Sequence, residues 1–467
     1  MAFNSLIFAL FLPIVFAVYW LLQRHLRLQN AFIVLASYVF YGWWDWRFLG
    51  LIAFTSVLTW GTGWLIADAK RTKGDKGGKG WLIATIAINL AILCVFKYYD
   101  FFVSSFCALF HVDATTHLLN LVLPVGISFY TFQAISYSVD VYRKDLNPTT
   151  NLITFCAYLT FFPQLVAGPI ERATNLLPQF DKARSFDYTN AVEGLRRILW
   201  GLFKKVVIAD TCATFVDPVW DHFRDQPASA LVLAAILFAF QIYGDFSGYS
   251  DIAIGTARLF GIRLRENFRT PYFSRDVAEF WQRWHISLNT WFVDYIYIPL
   301  GGSRNGLART IGNTFVIFLL SGLWHGAEWS FVGWGIYHAC LFMVLLLTGR
   351  THRYRDDATG QQWPQIMLTF LLVVTGWILF RAPDIETAWD FLCAMCSNPH
   401  LVLPNGLPVA RLTGLVACIG LMGVWEWRGR RKDEAPIPHK RIVYYILILA
   451  IWWFSGRAST DFIYFQF

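Results

Sequence analysis

Apolar runs close to the length of a membrane crossing recur along the whole chain, separated by short loops rich in lysine and arginine. A bilayer core about 30 Å thick needs roughly 20 apolar residues for each helical span. Inside hydrocarbon, backbone polar groups must be satisfied within the structure itself, which restricts what such runs can become. Composition agrees with this reading. Of 467 residues, 56% are hydrophobic and only 15% charged, far from the soluble average. The expected fold class is all-α: a polytopic helical membrane protein, read as one integral-membrane domain over residues 1–467. It should hold on the order of 10–12 helices, some broken or short of a full crossing. No internal repeat, low-complexity tract or soluble domain is evident in the sequence.

The net charge of +8 does not point to nucleic acid, because the basic residues sit in short loops between spans, where positive-inside topology accounts for them. The first run, residues 6–22, lacks the charged leader of a signal peptide and is followed by Arg24, His25 and Arg27. An uncleaved first span with its basic end in the cytoplasm follows. The loop with Lys70, Arg71, Lys73, Lys76 and Lys79 falls on the same side, and so does the basic loop 428–441. Arg350, Arg353 and Arg355 form a further basic loop.

Eight cysteines are mostly scattered through apolar segments, where they act as small hydrophobes. Cys393 and Cys396 form a lone CxxC with only His400 nearby, so no metal site is expected.

Four stretches carry polar groups where lipid would disfavour them. Residues 168–172, Gly-Pro-Ile-Glu-Arg, read as re-entrant or interfacial. Residues 191–209 contain Arg196, Arg197, Lys204 and Lys205 amid apolar residues and read as an amphipathic interfacial helix. A short span over 231–243 is expected to end at Gly244, with Asp245, Ser247 and Asp251 capping the next helix. The Gly-x-Ser-x-Gly elbow of a serine hydrolase is absent there. In 280–291, Trp281, His285 and Asn289 are spaced four apart and would share one face of a helix. Arg283 and Arg304 flank that stretch, placed either to steady an anion or to anchor at the interface.

The fifth and most informative stretch, residues 321–329, joins two apolar runs and carries His325 between Gly322 and Gly326. A histidine in such a place needs partners or a water-lined cavity. Burial disfavours a charged imidazole, and a neutral ring able to accept a proton fits a general base. The alternative is a histidine that ties two helices together. Glu328 lies one helical turn on and would steady a developing imidazolium if that segment were helical. His338, inside the following apolar run, reads as a structural histidine.

Taken together, residues 37–46, 123–142, 161–172, 241–255, 280–302, 321–338 and 462–467 resemble the membrane-bound O-acyltransferase family, in its bacterial alginate O-acetyltransferase branch. The resemblance implies a ring of transmembrane and re-entrant helices around a central catalytic tunnel. It makes His325 and His285 the catalytic pair and places Trp281, Arg283, Asn289, Arg304 and Trp324 along the substrate tunnel. His285 would orient His325, polarise the carbonyl or stabilise the oxyanion.

The implied reaction moves an acetyl group from a cytoplasmic thioester, acetyl-CoA or another acyl thioester, to hydroxyls of an extracytoplasmic exopolysaccharide. No tightly bound cofactor is implied. Expected partners are the donor thioester, membrane lipid, the exopolysaccharide, and a periplasmic SGNH-type acetyltransferase or other polymer-biosynthesis protein. The expected location is the bacterial inner membrane. Competing readings are D-alanyl transfer from a carrier protein and, in another class, a non-catalytic scaffold or a proton-coupled transporter using the two histidines as a relay. A transporter would favour inverted repeats, and none is evident.

Overall fold

The computed structural model describes every residue except 167, 352–357, 398–407, 431–436, 439–440, 457–461 and 464–467. Arg353, Arg355, His400, most of the basic loop 428–441 and the end of the 462–467 string therefore lie outside the described residues.

Among the described residues there are helices and no strand. In chain order they are α1 (Leu6–Leu21), α2 (Leu26–Gly42), α3 (Leu49–Lys73), α4 (Lys79–Leu93), α5 (Tyr99–Leu109), α6 (Ile127–Arg143) and α7 (Leu152–Thr160). Next come α8 (Phe162–Leu165), α9 (Ala173–Phe180), α10 (Tyr188–Leu202), α11 (Asp210–Asp221), α12 (Ala228–Leu259), α13 (Val277–Arg283) and α14 (Ile286–Phe292). The chain continues with α15 (Leu307–His325), α16 (Trp329–Leu347), α17 (Trp363–Arg381), α18 (Ile385–Ser397), α19 (Val409–Gly429) and α20 (Arg441–Phe454). Seven described helical segments are long and apolar enough to cross a membrane: Trp46–Lys73, Lys79–Leu109, Ala228–Leu259, Leu307–His325, Trp329–Leu347, Gly360–Arg381 and Val409–Gly429. α1 and α20 are shorter apolar helices. The twenty described helices exceed the roughly 10–12 expected, because several of the apolar runs are broken into short elements.

The chain divides into two compact units. One comprises Met1–Ile198 and Ile252–Arg265, the other Leu199–Asp251 and Glu266–Phe467.

In the first unit, several buried polar side chains are matched to backbone or to one another. Tyr19 donates to the Phe260 carbonyl at 2.9 Å and Trp20 to that of Leu259 at 3.0 Å. The buried guanidinium of Arg184 donates to Gln29 Oε1 at 3.0 Å and Asn30 Oδ1 at 2.5 Å. It lies over the rings of Tyr19 and Phe180. Glu171 is fully buried and accepts from Asn175 Nδ2 at 2.8 Å and from the Arg265 amide at 2.5 Å. The polar stretch 168–172 is thus held inside protein, which is how non-helical backbone is tolerated at membrane depth.

The second unit corrects two expectations. The span read as 231–243 does not stop at Gly244: α12 runs on to Leu259, and Asp245, Ser247 and Asp251 lie inside it as buried residues, not caps. In the run 191–209 that precedes it, the lysines do not lie on an exposed face either. After α10 the run becomes a π-helix, Phe203–Ala209, in which Lys204 and Lys205 are buried. Each correction explains the other. Lys205 pairs with Asp210 at 2.9 Å and Asp245 at 2.7 Å, and Lys204 pairs with Asp251. The two helices touch through glycines. A Cβ on Gly244 would lie 2.9 Å from the Lys204 carbonyl oxygen, and one on Gly248 2.8 Å from that of Gly201. Local sequence could not show that each carboxylate has its counter-ion on another element.

Candidate active site

His325 is the last residue of α15, and α16 begins at Trp329 after a tight reversal. The reversal brings the helices together where only hydrogen fits. A Cβ on Gly322 would lie 2.2 Å from the Phe331 carbonyl oxygen, and one on Gly335 2.4 Å from that of Phe318. His325, 3% exposed, is thereby fixed at a helix end among aromatic rings. Its ring centroid lies 5.0 Å from that of Trp324, 5.2 Å from Trp334 and 5.3 Å from Phe380. Residues 326–328 are not helical, and Glu328 is an exposed, extended residue before α16. It does not sit one turn along a helix from His325.

His285 comes from a different kind of element. The helix expected through 280–291 is broken: α13 ends at Arg283, Trp284 is extended, and His285 adopts a left-handed conformation (φ 45°, ψ 52°) before α14 starts. A non-glycine residue there costs roughly 1–2 kcal/mol, so the surroundings must hold it. The segment 267–269 does so by pairing with both sides of the break. The Arg269 amide donates to the Arg283 carbonyl at 2.9 Å, and the Ile286 amide donates to the Asn267 carbonyl at 2.9 Å. Asn289 donates from Nδ2 to the carbonyls of Trp281 and Trp284, both at 2.6 Å, closing the end of α13. Asn289 is thus a helix-end cap, and Trp281, His285 and Asn289 do not form a column on one helix face.

The break turns the His285 ring toward α15. The two imidazole centroids are 6.4 Å apart at an interplanar angle of 60°, with Trp324 against both. His285 is 1% exposed, and Phe246 of α12 packs edge-on to it at 4.7 Å. Its Nδ1 lies 3.1 Å from Oδ1 of Asn267, which also accepts from the Ser287 hydroxyl at 2.8 Å and the Ser287 amide at 3.3 Å. The Asn267 Nδ2 donates to Ser250 of α12 at 3.2 Å. The described end of the chain reaches this region too. Phe462 packs on Phe246 and Tyr249, and the Ile463 amide donates to Asp245 Oδ2 at 2.6 Å.

Of the residues read from sequence, His285, His325 and Trp324 come together. Trp281 stands one ring back from His325, against Trp334 at 5.5 Å and His338 at 4.9 Å. Arg283 pairs at 2.8 Å with Glu279, a carboxylate it shares with Arg275, and also donates to Thr270. Arg304 is exposed in the turn after Tyr297. Asn267, Phe246 and Phe380 were not legible as site residues, since no local motif sets them apart. A cavity of about 260 Å³ lies between α12, α17 and α19, walled by Phe240, Tyr272, Phe370 and Met422, with Tyr243 bonded to Glu426 at 2.6 Å. Neither histidine lines it.

The family sequence profile of the membrane-bound O-acyltransferases matches residues 146–381, which include both histidines. Probable alginate O-acetylases AlgI are similar over most of their length. That of Azotobacter vinelandii is 40% identical over 89% of this chain and 82% of its own. That of Pseudomonas putida is 36% identical over the whole of both chains. The chain belongs to the membrane-bound O-acyltransferase family.

As a multi-pass membrane O-acyltransferase, the protein needs a base for an acceptor hydroxyl and a site dry enough to protect an activated acyl group. Two buried imidazoles walled by tryptophan and phenylalanine are suited to both tasks. A peptidoglycan O-acetyltransferase of Helicobacter pylori is 34% identical over 84% of this chain and 79% of its own length. A teichoic acid D-alanyltransferase of Bacillus subtilis matches more distantly, at 26% over 56% of this chain.

Proposed function

We propose that this O-acyltransferase moves acetyl groups from a cytoplasmic thioester, acetyl-CoA, to hydroxyls of an alginate-like exopolysaccharide outside the bacterial inner membrane. The observation that carries this reading is the 6.4 Å approach of two buried histidines in a chain 36–41% identical to probable alginate O-acetylases.

His325 takes the proton of the acceptor hydroxyl as its oxygen attacks the thioester carbonyl. The tetrahedral intermediate then collapses, the C–S bond breaks, and the thiolate recovers the proton from the imidazolium. His285, across the gap, orients the reacting group. The aromatic walls keep water from the thioester. Hand-over to the polymer runs through a periplasmic SGNH-type acetyltransferase, which receives the acetyl group on a hydroxyl and passes it to a polymer hydroxyl.

The test is transfer in proteoliposomes with labelled acetyl-CoA on one face and the polysaccharide, with and without the partner, on the other. Label should appear as ester on the polymer only when donor and acceptor occupy opposite faces. Label delivered from a D-alanyl carrier protein, with none from acetyl-CoA, would replace this reading with D-alanyl transfer.

A further inference from the structure

Asn267 makes a chemical distinction that the ring distances do not. An asparagine side chain has one end that only accepts hydrogen bonds and one that only donates, and which end points where must be settled from its neighbours. Here the neighbour is decisive. The Ser287 amide is a backbone N–H, which can only donate, and it points at the same Asn267 atom as His285 Nδ1, at 3.3 Å. That atom must be the oxygen. The opposite orientation would set two donors against each other in a fully buried place, a cost of about 1–3 kcal/mol. The other end of the amide fits this assignment, donating to Ser250 Oγ at 3.2 Å.

An oxygen 3.1 Å from His285 Nδ1 can only be met by a proton on that nitrogen. A neutral imidazole carries one N–H and one lone pair, so Nε2 holds the lone pair. The same Asn267 also grips the backbone: its carbonyl accepts from the Ile286 amide at 2.9 Å, just beyond the left-handed His285. One residue therefore fixes both the backbone turn that presents the ring and the proton arrangement on it.

We propose that Asn267 is a positioning residue for His285, holding it as the Nδ1–H tautomer so that Nε2 meets the reacting group as a hydrogen-bond acceptor. This rests on the reading that His285 faces the reacting group. It narrows the three roles open to that histidine. A neutral ring whose Nε2 carries a lone pair cannot donate to an oxyanion or polarise a carbonyl. It accepts instead, from the hydroxyl of the acceptor or from the N–H of His325, and so aligns the proton transfer. Holding a histidine in the right tautomer through its second nitrogen is a strong lever in other enzymes, where the wrong tautomer costs orders of magnitude in rate.

The experiment combines nitrogen NMR with kinetics. Protein labelled with 15N-histidine is reconstituted in nanodiscs, and the His285 signals are identified by their loss in His285→Gln. Asn267→Asp keeps an accepting oxygen, whereas Asn267→Leu removes it. Wild type and Asn267→Asp should both show protonated Nδ1 and unprotonated Nε2. Asn267→Leu should lose that single form, with kcat falling by about 10–100-fold and KM little changed, and Asn267→Asp should recover much of the rate. Protonated Nε2 in the wild type would overturn the proposal, and that spectrum is decisive even if Asn267→Leu fails to fold. Wild-type kcat in a folded Asn267→Leu would overturn it as well. If the tautomer is as stated but His285→Gln transfers at full rate, the catalytic reading of His285 is what fails, and the positioning role falls with it.

Discussion

The second unit buries two polar groups of opposite character, and the contrast separates architecture from chemistry. Around the π-helix, Lys204 and Lys205 meet Asp210, Asp245 and Asp251 directly, and the Ile463 amide adds a bond to Asp245. Every carboxylate there has a lysine against it, Lys205 serving two of them, as burial of ions demands. At the ends of α13 and α15, His285 and His325 stand 6.4 Å apart among tryptophan and phenylalanine rings. A neutral ring needs no counter-ion to be buried, and it can still take up a proton during a reaction. The ion cluster ties helices together, whereas the histidines are held in place by other groups and left suited to chemistry.

The largest effect should come from breaking the ion cluster. Lys205→Met leaves Asp210 and Asp245 as like charges without their cation, a loss of about 3–5 kcal/mol. Folded protein recovered from membranes should fall sharply, and adding Asp210→Asn with Asp245→Asn should restore much of it. A Lys205→Met protein that melts with the wild type would remove the cluster from the architecture.

A smaller effect belongs to the support beneath His285. Asn289→Ala deletes the two 2.6 Å bonds to the carbonyls of Trp281 and Trp284 and should cost about 1–3 kcal/mol. Because the left-handed turn at His285 loosens with it, transfer per folded enzyme should fall too. Thermal melting and activity on one preparation check both, and a loss of stability with unchanged specific activity would show that the cap does not steady the histidine.

The smallest effect is none at all. Glu328 is exposed and off the helix, so Glu328→Gln should transfer acetyl at the wild-type rate. A large loss there would put a carboxylate back beside His325.

What the sequence made legible follows the reach of its signals. Apolar runs located α1, α15 and α16 because hydropathy is local. The continuation of α12 through Asp245 and Asp251 was hidden, since the lysines that neutralise them lie on the preceding helix. The break at His285 was hidden as well. Trp284, His285 and Ile286 offer no glycine or proline to announce it, and the turn is imposed by Asn267 and Arg269 from another part of the chain. Family resemblance brought His285 and His325 together, but only coordinates show which groups hold them.

The central claim is that His325 acts by proton transfer while the fold rests elsewhere. It is tested most directly by measuring polymer acetylation per folded enzyme, together with melting temperature, for His325→Gln. Glutamine keeps polarity and much of the volume but cannot shuttle a proton at neutral pH. The predicted result is a stably folded protein whose acetyl transfer falls by about two orders of magnitude or more. Near-wild-type transfer by a stable His325→Gln protein would contradict the account.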